Sequence, residues 1–524
     1  MNKTIKTLLK LISILPLMAA LQLQAQSLKD QIEIEKGSLF KVKGDEVHRS
    51  VITAKEGDFY AFDIQIIKFT DQNQKVIIFH FDSNLKLLKS KEIKLKFDKV
   101  IHTFVKGVFL NDKLYLMTKA QLNKKNDENT LHFHLIDKKT LEVTQSEAIP
   151  LTKYPEEENR SSSFILNKDK FLNSAENVKY KFSEDKSKLI IKSPVAKYKN
   201  SLLYFSFKVI DTKNNFQQLW EYGFFQKEEE IDFDVDDFKV NNNGEAALLF
   251  KEDGEEINFT VLNHFFTIKH INSTGQLNYE HKLEYKDEHL TRLKLAFNSS
   301  NKITLAGFYY VKEKGIVGRY FATIDLKTKS FLNEKKFDLS RISSLTNYHK
   351  IDSLIFLSDG SSILVAEYKR YSGANPSAGQ ASWVEGSDAI VSRRSIILIY
   401  FSKSGELKWS KRIQKKQGIE YSRWLYTSYH LSVVNDKLYF FHIDNPKNIG
   451  KYTGSERWML SKKSKVIITE IDQKGNMRNT AMLNFKEDKT VLLPLLMRET
   501  TNGKILGYAK WGRKARYYRF TIKE

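Results

Sequence analysis

The sequence predicts an all-β fold built from repeated units of four antiparallel strands. The unit is clearest at 429–485, where four short runs rich in β-branched and aromatic residues follow one another. The first two runs flank a turn at Asn435 and Asp436, and the last two flank a turn that ends at Gly475. Runs of this length, bounded by turn residues, are typical of β-strands. A long polar loop separates the two predicted hairpins.

The same order of strands and turns recurs along the chain. The predicted units cover 50–95, 108–149, 180–222, 238–283, 293–337, 354–409, 431–485 and 491–522. Stacked units of this kind share one continuous core, so the 524 residues are expected to form one domain rather than three or four.

The eighth unit ends one strand short. The segment 31–35 alternates apolar and acidic residues and has no predicted partner close to it in sequence. Pairing this segment with the last sheet would close a ring and cover an exposed strand edge. We therefore expect the first strand to complete the last unit.

This architecture resembles the β-propeller superfold over 31–524. The resemblance implies four-stranded antiparallel blades closed by the N-terminal strand, with eight blades favoured and seven as the alternative. The Trp-Asp pair of WD40 repeats, the Gly-Gly pair of kelch repeats and the Asp-box of sialidases are absent from the sequence. The resemblance therefore extends to the superfold and to no named family.

A polar residue recurs where the third strand of most units ends. These residues are Asp82, Asp137, Asp211, Asn272, Asp325 and Asp472, with Ser402 in the sixth unit. Asp and Asn at such positions bond the backbone of the following turn. We interpret them as turn residues and not as catalysts.

The N-terminus has the pattern of a secretory signal peptide. Lys3, Lys6 and Lys10 precede an apolar stretch at 11–23, and a small-residue site ends at Ala25. The predicted division is a signal peptide over 1–25 and a single β-propeller domain over 26–524, with an uncleaved anchor as the alternative. The mature chain would be periplasmic or extracellular and without a transmembrane segment.

Composition limits the chemistry of the chain. There is no Cys, which excludes disulfides, thiol catalysis and cysteine-bound metals. The formal net charge is +22. This charge favours an anionic polymer as a partner, although we prefer to explain it by lysines on solvated strand faces; nucleic acid is disfavoured.

Long loops are predicted on one face of the disc and tight turns on the other. The long segments are 152–178, 227–237, 251–264, 371–394, 418–428 and 445–464. The last three combine aromatic residues with arginines, which is the composition of binding hot spots and stacking platforms. The predicted binding residues are Tyr371, Trp383, Arg393, Arg394, Tyr421, Arg423, Trp424, Tyr452, Arg457 and Trp458. The alternative is that these side chains only fasten the loops to the disc.

Metal-binding patterns are incomplete. The acidic run 232–237 begins like a calcium loop, but Asp237 stands where such loops need Gly. His132 and His134 share one face of a strand, yet no third ligand is evident in the sequence. We therefore predict no metal and no cofactor.

No catalytic motif is present. His349 and His430 are expected near the central channel, but only by analogy with other propellers. The favoured function is a secreted binding module that engages a glycan, an envelope polymer or a protein through its long-loop face. The alternatives are an enzyme that cleaves polysaccharide or peptide, and a polyanion binder driven by charge.

Overall fold

The computed structural model describes most of the chain from residue 28 to residue 523. The segments outside the description within that span are 43–47, 55–56, 67–73, 124–127, 152–178, 194–195, 199–201, 228–232, 258–260, 284, 286–287, 299–300, 312–314, 339–347, 373–389, 450–462 and 501. The predicted signal peptide lies outside the described residues.

The described residues form 37 strands. The N-terminal pair and blades 1 to 3 comprise β1 (Ile32–Lys36), β2 (Phe40–Lys41), β3 (His48–Thr53), β4 (Phe59–Ile66), β5 (Gln74–Phe81), β6 (Leu87–Lys94), β7 (Lys96–Phe97), β8 (Val100–Leu110), β9 (Lys113–Asn123), β10 (Glu128–Ile136), β11 (Val143–Pro150), β12 (Lys179–Phe182), β13 (Lys188–Lys192), β14 (Ala196–Tyr198), β15 (Leu202–Asp211) and β16 (Gln217–Lys227). Blades 4 to 6 comprise β17 (Phe233–Val240), β18 (Ala246–Ile257), β19 (Val261–Ile271), β20 (Leu277–Leu283), β21 (Glu288–Asn298), β22 (Lys302–Val311), β23 (Gly315–Asp325), β24 (Ser330–Asp338), β25 (His349–Phe356), β26 (Ser362–Ser372), β27 (Ile390–Phe401), β28 (Leu407–Ile413) and β29 (Gln417–Glu420). Blades 7 and 8 comprise β30 (Tyr429–Val434), β31 (Lys437–Asp444), β32 (Lys465–Ile471), β33 (Met477–Asn484), β34 (Val491–Leu492), β35 (Arg498–Glu499), β36 (Ile505–Trp511) and β37 (Lys514–Ile522).

The strands form eight antiparallel sheets, four with four strands, three with five and one with six. Each sheet contains a four-stranded blade, and short extra strands such as β7, β14 and β29 account for the larger numbers. The first strands of neighbouring blades contact one another around the axis, as do β17 with β21 and β21 with β25. In blade 8 the first strand is split into β34 and β35 by a 3-10 helix, Pro494–Leu496. The predicted β-propeller is confirmed, and its blade number is eight.

The N-terminal strand closes the ring. β1 pairs antiparallel with β37, from Ile32 opposite Ile522 to Lys36 opposite Tyr518. Lys36 bonds Asp488 at 2.7 Å, and Arg519 bonds Glu35 at 2.9 Å. The predicted partner of segment 31–35 is therefore confirmed.

Apolar side chains fill every boundary between blades. The described residues form eight buried clusters, and each cluster joins two neighbouring blades. The blade 8–blade 1 cluster, for example, stacks Phe59 on Phe81 at 4.7 Å and sets both edge-on to Tyr517. Radially arranged sheets bury both faces in this way, which explains apolar residues on both sides of most strands.

Tight turns occupy one face of the disc, as predicted. Asn435 and Asp436 both have positive φ, 50° and 59°, which is the geometry of a two-residue hairpin turn that favours Asn, Asp and Gly. The Asp82 carboxylate accepts from the backbone of Asn84 at 2.9 Å and of Lys86 at 2.8 Å. Equivalent bonds occur at Asp137, Asp211, Asn272, Asp325, Ser402 and Asp472. The interpretation of these residues as turn residues is confirmed.

Two predicted long loops are largely strand. Most of 251–264 extends a hairpin, because β18 continues to Ile257 and β19 begins at Val261. The acidic run before Phe238 is the start of β17, where Asp237 is buried and ion-paired with Lys181. Alternating charges hid the strand pattern there, so the prediction of loops was wrong in blade 4.

None of the helices in the described part of the chain has the length and apolar character needed to span a bilayer.

We predict that Ile32→Ala lowers the free energy of unfolding by roughly 2–5 kcal/mol, the usual cost of truncating a buried isoleucine. Ile32 is 5% exposed and packs in the blade 7–blade 8 cluster. The measurement is the midpoint of urea unfolding. The matched control is Glu33→Ala on the exposed face of β1, which should change stability by less than about 0.5 kcal/mol. Equal effects of the two substitutions would contradict a closing role for β1.

Candidate functional site

The first strands of most blades are irregular. The pairing register shifts within the first strands of blades 1, 2, 4, 5 and 6. Lys106, Asp237 and Arg292 come directly after the shift in their strands. Register shifts of this kind turn a side chain out of the regular alternation and are common next to functional sites.

A cavity of about 760 Å³ lies at one mouth of the central channel. It is bounded by the first strands of blades 8, 1, 2 and 3 and by the tight turns that follow them. Its charged lining residues are Lys106, Lys186, Arg498, Asp112, Asp185 and Glu499. The mouth therefore opens on the tight-turn face.

Lys106 is the central cation of this cavity. Burial lowers its pKa, and the charges of Arg498 and Lys186 lower it further. Among the described residues, no carboxylate forms an ion pair with Lys106. One guanidinium nitrogen of Arg498, Nη1, donates to the backbone carbonyl of Met497 at 2.6 Å. Three cations thus surround a space large enough for a ligand.

Two of the three carboxylates that line the cavity have defined partners. Asp185 accepts from Ser183 at 2.9 Å and from the Ser187 amide at 2.9 Å, and it pairs with Lys213 at 3.3 Å. Glu499 accepts from the Ser432 hydroxyl. Two other lysines of the first strands, Lys181 and Lys294, are compensated because both pair with Asp237. Within the cavity, Lys106 is a half-buried cation.

The sequence-predicted binding residues are only partly within the described structure. Trp383, Tyr452, Arg457 and Trp458 lie outside the described residues. Tyr371 is on β26, and Tyr421 and Arg423 are on the 3-10 helix Tyr421–Tyr426; their side chains are likewise not described. Arg393, Arg394 and Trp424 are described, and the binding role of the set stays a prediction.

The 3-10 helix Tyr421–Tyr426 is fixed to blade 8. The Tyr426 hydroxyl donates to the Lys510 carbonyl at 3.1 Å, and its ring lies edge-on to Trp511. Leu425 packs with Tyr426 on the blade 8–blade 1 cluster. Trp424, directly before these two anchors, is 39% exposed and so remains accessible to a ligand.

Arg393 belongs to a buried ion network between blades 6 and 7. Glu367 is fully buried and accepts from Lys415 at 2.7 Å, from Arg393 at 3.2 Å and from the Ser428 hydroxyl at 2.8 Å. Burial favours the neutral acid, but the cations Lys415, Arg393 and Lys369 outweigh it and lower the pKa of Glu367. Arg394 instead lies over the ring of Tyr368 at 5.3 Å.

A second buried carboxyl fixes the start of the segment 445–464. Asn448 donates to both Asp444 oxygens at 3.0 Å, and the Lys416 amide donates to Asp444 at 3.3 Å. Burial raises the pKa of Asp444 to about 7. His442, on the same strand, has its pKa lowered to about 3 by burial and by Lys415.

The two histidines expected near the channel lie in buried surroundings. His349 is buried, with Ser395 at 3.5 Å from its Nε2. Burial and the charge of Arg498 lower the pKa of His430 to about 3, so its imidazole is neutral at pH 7.

A third histidine joins His132 and His134, which sequence reasoning missed. His102 on β8 brings one ring nitrogen to within 4.8 Å of a nitrogen of each of the other two. Burial lowers the pKa of His102 to about 4 and that of His134 to about 3. The feature of the sequence that could have indicated a third ligand is the position of His102, near the start of the first strand of the same blade.

We predict that Arg393→Ala lowers the free energy of unfolding by up to about 3 kcal/mol, the lower end of the cost of breaking a buried ion pair, because Lys415 remains on Glu367. The matched control is Arg394→Ala, which removes a half-buried neighbour and should cost about 1 kcal/mol or less. Urea midpoints compare the two. Equal costs would contradict the assignment of Arg393 to the network.

We predict that Asp444→Asn reduces the pH dependence of stability between pH 5 and pH 8. The folded carboxyl keeps its proton to about pH 7, whereas an unfolded Asp loses it near pH ~4. The stability from this carboxyl is therefore fully present below the unfolded pKa and is lost as the pH rises through 7. Melting temperatures at several pH values measure the effect. Asp472→Asn, at a surface turn of the same blade, is the control, and identical pH profiles would contradict the prediction.

Comparison with known proteins assigns no family. No protein-family model matches the chain, and no curated protein matches it. Among solved structures, the chain is similar to the β-propeller domain of the trilobed protease from Pyrococcus furiosus, with 12% identity, a TM-score of 0.34, and coverage of 82% of this chain and 98% of that one. It is also similar to the WD40 domain of SCAP from fission yeast (8% identity, TM-score 0.36, 95% of each chain) and to the N-terminal domain of Nup159 (11%, 0.35, 93% of this chain and 95% of that one). The chain is thus an eight-bladed β-propeller by its own topology, without an assigned family.

Proposed function

We propose that this protein is an exported binding module that receives an anionic group in the cavity at its channel mouth. The single observation that carries the proposal is Lys106, a half-buried lysine beside Arg498 and Lys186 that opens onto about 760 Å³ of space. Desolvating a lysine among like charges costs stability unless an anion compensates it. A bound carboxylate, sulfate or phosphate would supply that compensation.

The source of the anion follows from the proposed location. If residues 1–25 are a signal peptide, the chain meets the anionic polymers and proteins of the envelope or the exterior. A cavity at a channel mouth can enclose the end of a polymer or a charged side branch, which a flat protein surface cannot. We favour an acidic glycan or other envelope polymer as the ligand.

The hydrolytic alternative has less support. A general acid at the cavity needs a carboxyl that is free to carry a proton at neutral pH. Hydrogen bonds from Ser187 and Ser183 and the charge of Lys213 overcome the effect of burial and hold the pKa of Asp185 well below its usual range. Glu499 is bonded to Ser432. These carboxylates therefore act as structural acceptors.

A second candidate is the long-loop face around Trp424. The exposed indole is held on a short helix that is fastened to blade 8, so it is presented with little loss of conformational freedom. This face would suit a sugar ring or a protein side chain.

We predict that Lys106→Gln weakens binding of a sulfated polysaccharide such as heparin about tenfold, which corresponds to about 1.4 kcal/mol. The same change should raise the melting temperature, because it removes a buried positive charge that repels its neighbours. Calorimetric titration at several salt concentrations measures the affinity. Lys139→Gln, on an exposed turn of the same blade, is the control and should change neither value.

The arms of this experiment separate the two candidates. Weaker binding in Lys106→Gln supports the channel mouth, whereas weaker binding in Trp424→Ala alone supports the long-loop face. Affinity that ignores salt, or Lys106→Gln with unchanged binding and lower stability, would show that Lys106 is a structural residue and would overturn the proposal.

A further inference from the structure

Three histidines of blade 2 converge on one face of its sheet. His102 lies on β8 opposite Ala120 of β9, and His132 lies on β10 opposite Thr118 of β9. His134 is two residues further along β10 and faces the same side. One ring nitrogen from each histidine lies within 4.8 Å of the others.

Each imidazole also has a hydroxyl partner. His102 Nδ1 is 2.8 Å from Thr118 Oγ1, and His134 Nδ1 is 2.6 Å from Ser146 Oγ. His132 Nε2 is 2.7 Å from Thr130 Oγ1. Such outer partners orient the rings and fix their tautomers in histidine metal sites.

The hydrogen bonds indicate which nitrogens carry lone pairs. The Thr130 hydroxyl donates to the Ala120 carbonyl at 3.3 Å, so it accepts from His132 Nε2 and leaves His132 Nδ1 as the acceptor nitrogen. The other two rings share the Thr118 hydroxyl. In the tautomer with His134 Nδ1 donating to Ser146, His134 Nε2 accepts from Thr118 at 2.8 Å. Thr118 then accepts from His102 Nδ1, which leaves the lone pair on His102 Nε2.

The cluster lies at the boundary between blades 1 and 2. Phe97 of β7 stacks on His134 at 4.1 Å between ring centroids and lies edge-on to His102 at 4.9 Å. His102 and His134 are buried, and His132 is half-buried. Among the described residues, the cluster of possible metal ligands consists of these three histidines and includes no carboxylate. A cation bound there would therefore keep its charge.

We propose that His102, His132 and His134 form a binding site for a divalent transition metal of the zinc class, through Nε2, Nδ1 and Nε2 respectively. Neutral imidazoles are preferred ligands of Zn²⁺, and three of them with water in the fourth position make an open tetrahedral site. Ligand nitrogens at about 2.0–2.1 Å from zinc lie about 3.4 Å apart. The widest pair must therefore close by about 1.4 Å from 4.8 Å, which rotation of the half-buried His132 ring can provide.

Metal binding rearranges one hydrogen bond and keeps three. The ion replaces the Thr118 hydroxyl on His134 Nε2, while Thr118, Thr130 and Ser146 stay on the other nitrogens. The site would join β8 to β10 under the Phe97 ring. The fourth position is left for water or for an anionic group of a ligand.

The test uses the full chain without a histidine tag, stripped of metal by a chelator and titrated with zinc chloride by calorimetry. We expect saturable binding of one ion per chain and a rise in melting temperature with zinc, because a ligand that binds only the folded state stabilises it. Cobalt(II) should give the visible absorption of a tetrahedral site. No saturable uptake would overturn the proposal.

Two variants localise the ion, and a third is the control. His132→Ala should weaken zinc binding at least tenfold, and Thr130→Val should weaken it several-fold by releasing the outer partner. His281→Ala, an exposed histidine of blade 4, should bind zinc like the parent. Circular dichroism and melting without zinc show whether each variant folds. Zinc affinity that is unchanged in folded His132→Ala would place the ion elsewhere and overturn the proposal.

Discussion

The pairing of β1 with β37 is the contact on which the ring depends. It joins residues near the two ends of the chain, with Ile32 opposite Ile522, and it supplies the outer strand of blade 8. Without it, β37 would present unpaired backbone groups at an edge. Because each hydrophobic cluster needs two neighbouring blades, an open ring would also weaken the boundaries on either side of blade 8. The bond from the Lys523 amide to the Gln31 carbonyl at 2.7 Å extends the closure beyond the strand itself.

Two blade boundaries carry buried polar groups that apolar packing does not need. The blade 1–blade 2 boundary holds the three histidines, and the blade 6–blade 7 boundary holds Glu367 with Lys415. A buried ion pair seldom gains stability over a well-packed apolar pair, because desolvation offsets the attraction. Its value here is geometric. The Glu367 network ties β26 to β27 through Arg393 and joins Ser428, the last residue before β30, to blade 6. This network positions strand ends, whereas the three histidines are the proposed ligands of a metal ion.

The fold could be predicted because its information is local. Turn residues such as Asn435 and Asp436 mark the hairpins, and the missing strand of the last unit identifies the partner of 31–35. The sites could not be predicted in the same way. A register shift between Phe104 and Lys106 breaks the alternation of β8, and this break places His102 on the face of His132 rather than on the opposite one. Lys106 comes directly after this shift and lines the cavity. Arg393 was predicted as a binding residue, but it pairs with the buried Glu367. Loop composition alone cannot distinguish an arginine that binds a ligand from one that forms a buried ion pair.

One register shift in β8 therefore connects the two sites of blade 2. On one side of the shift, His102 turns into the boundary with blade 1, where the hydroxyls of Thr118 and Thr130 order the imidazoles. On the other side, Lys106 turns to the channel mouth, where Gly107 leaves room for the ring of Phe62 at 2.2 Å from the position a Cβ would take. Any side chain at that glycine would push the strand off blade 1 and move both neighbours. Within the described residues, β8 combines a lysine without a carboxylate partner, a shift in register and a glycine in close contact, and each of these features costs stability. Stability alone does not explain that combination, whereas the two sites that we propose, one at the channel mouth and one at the blade boundary, would account for it.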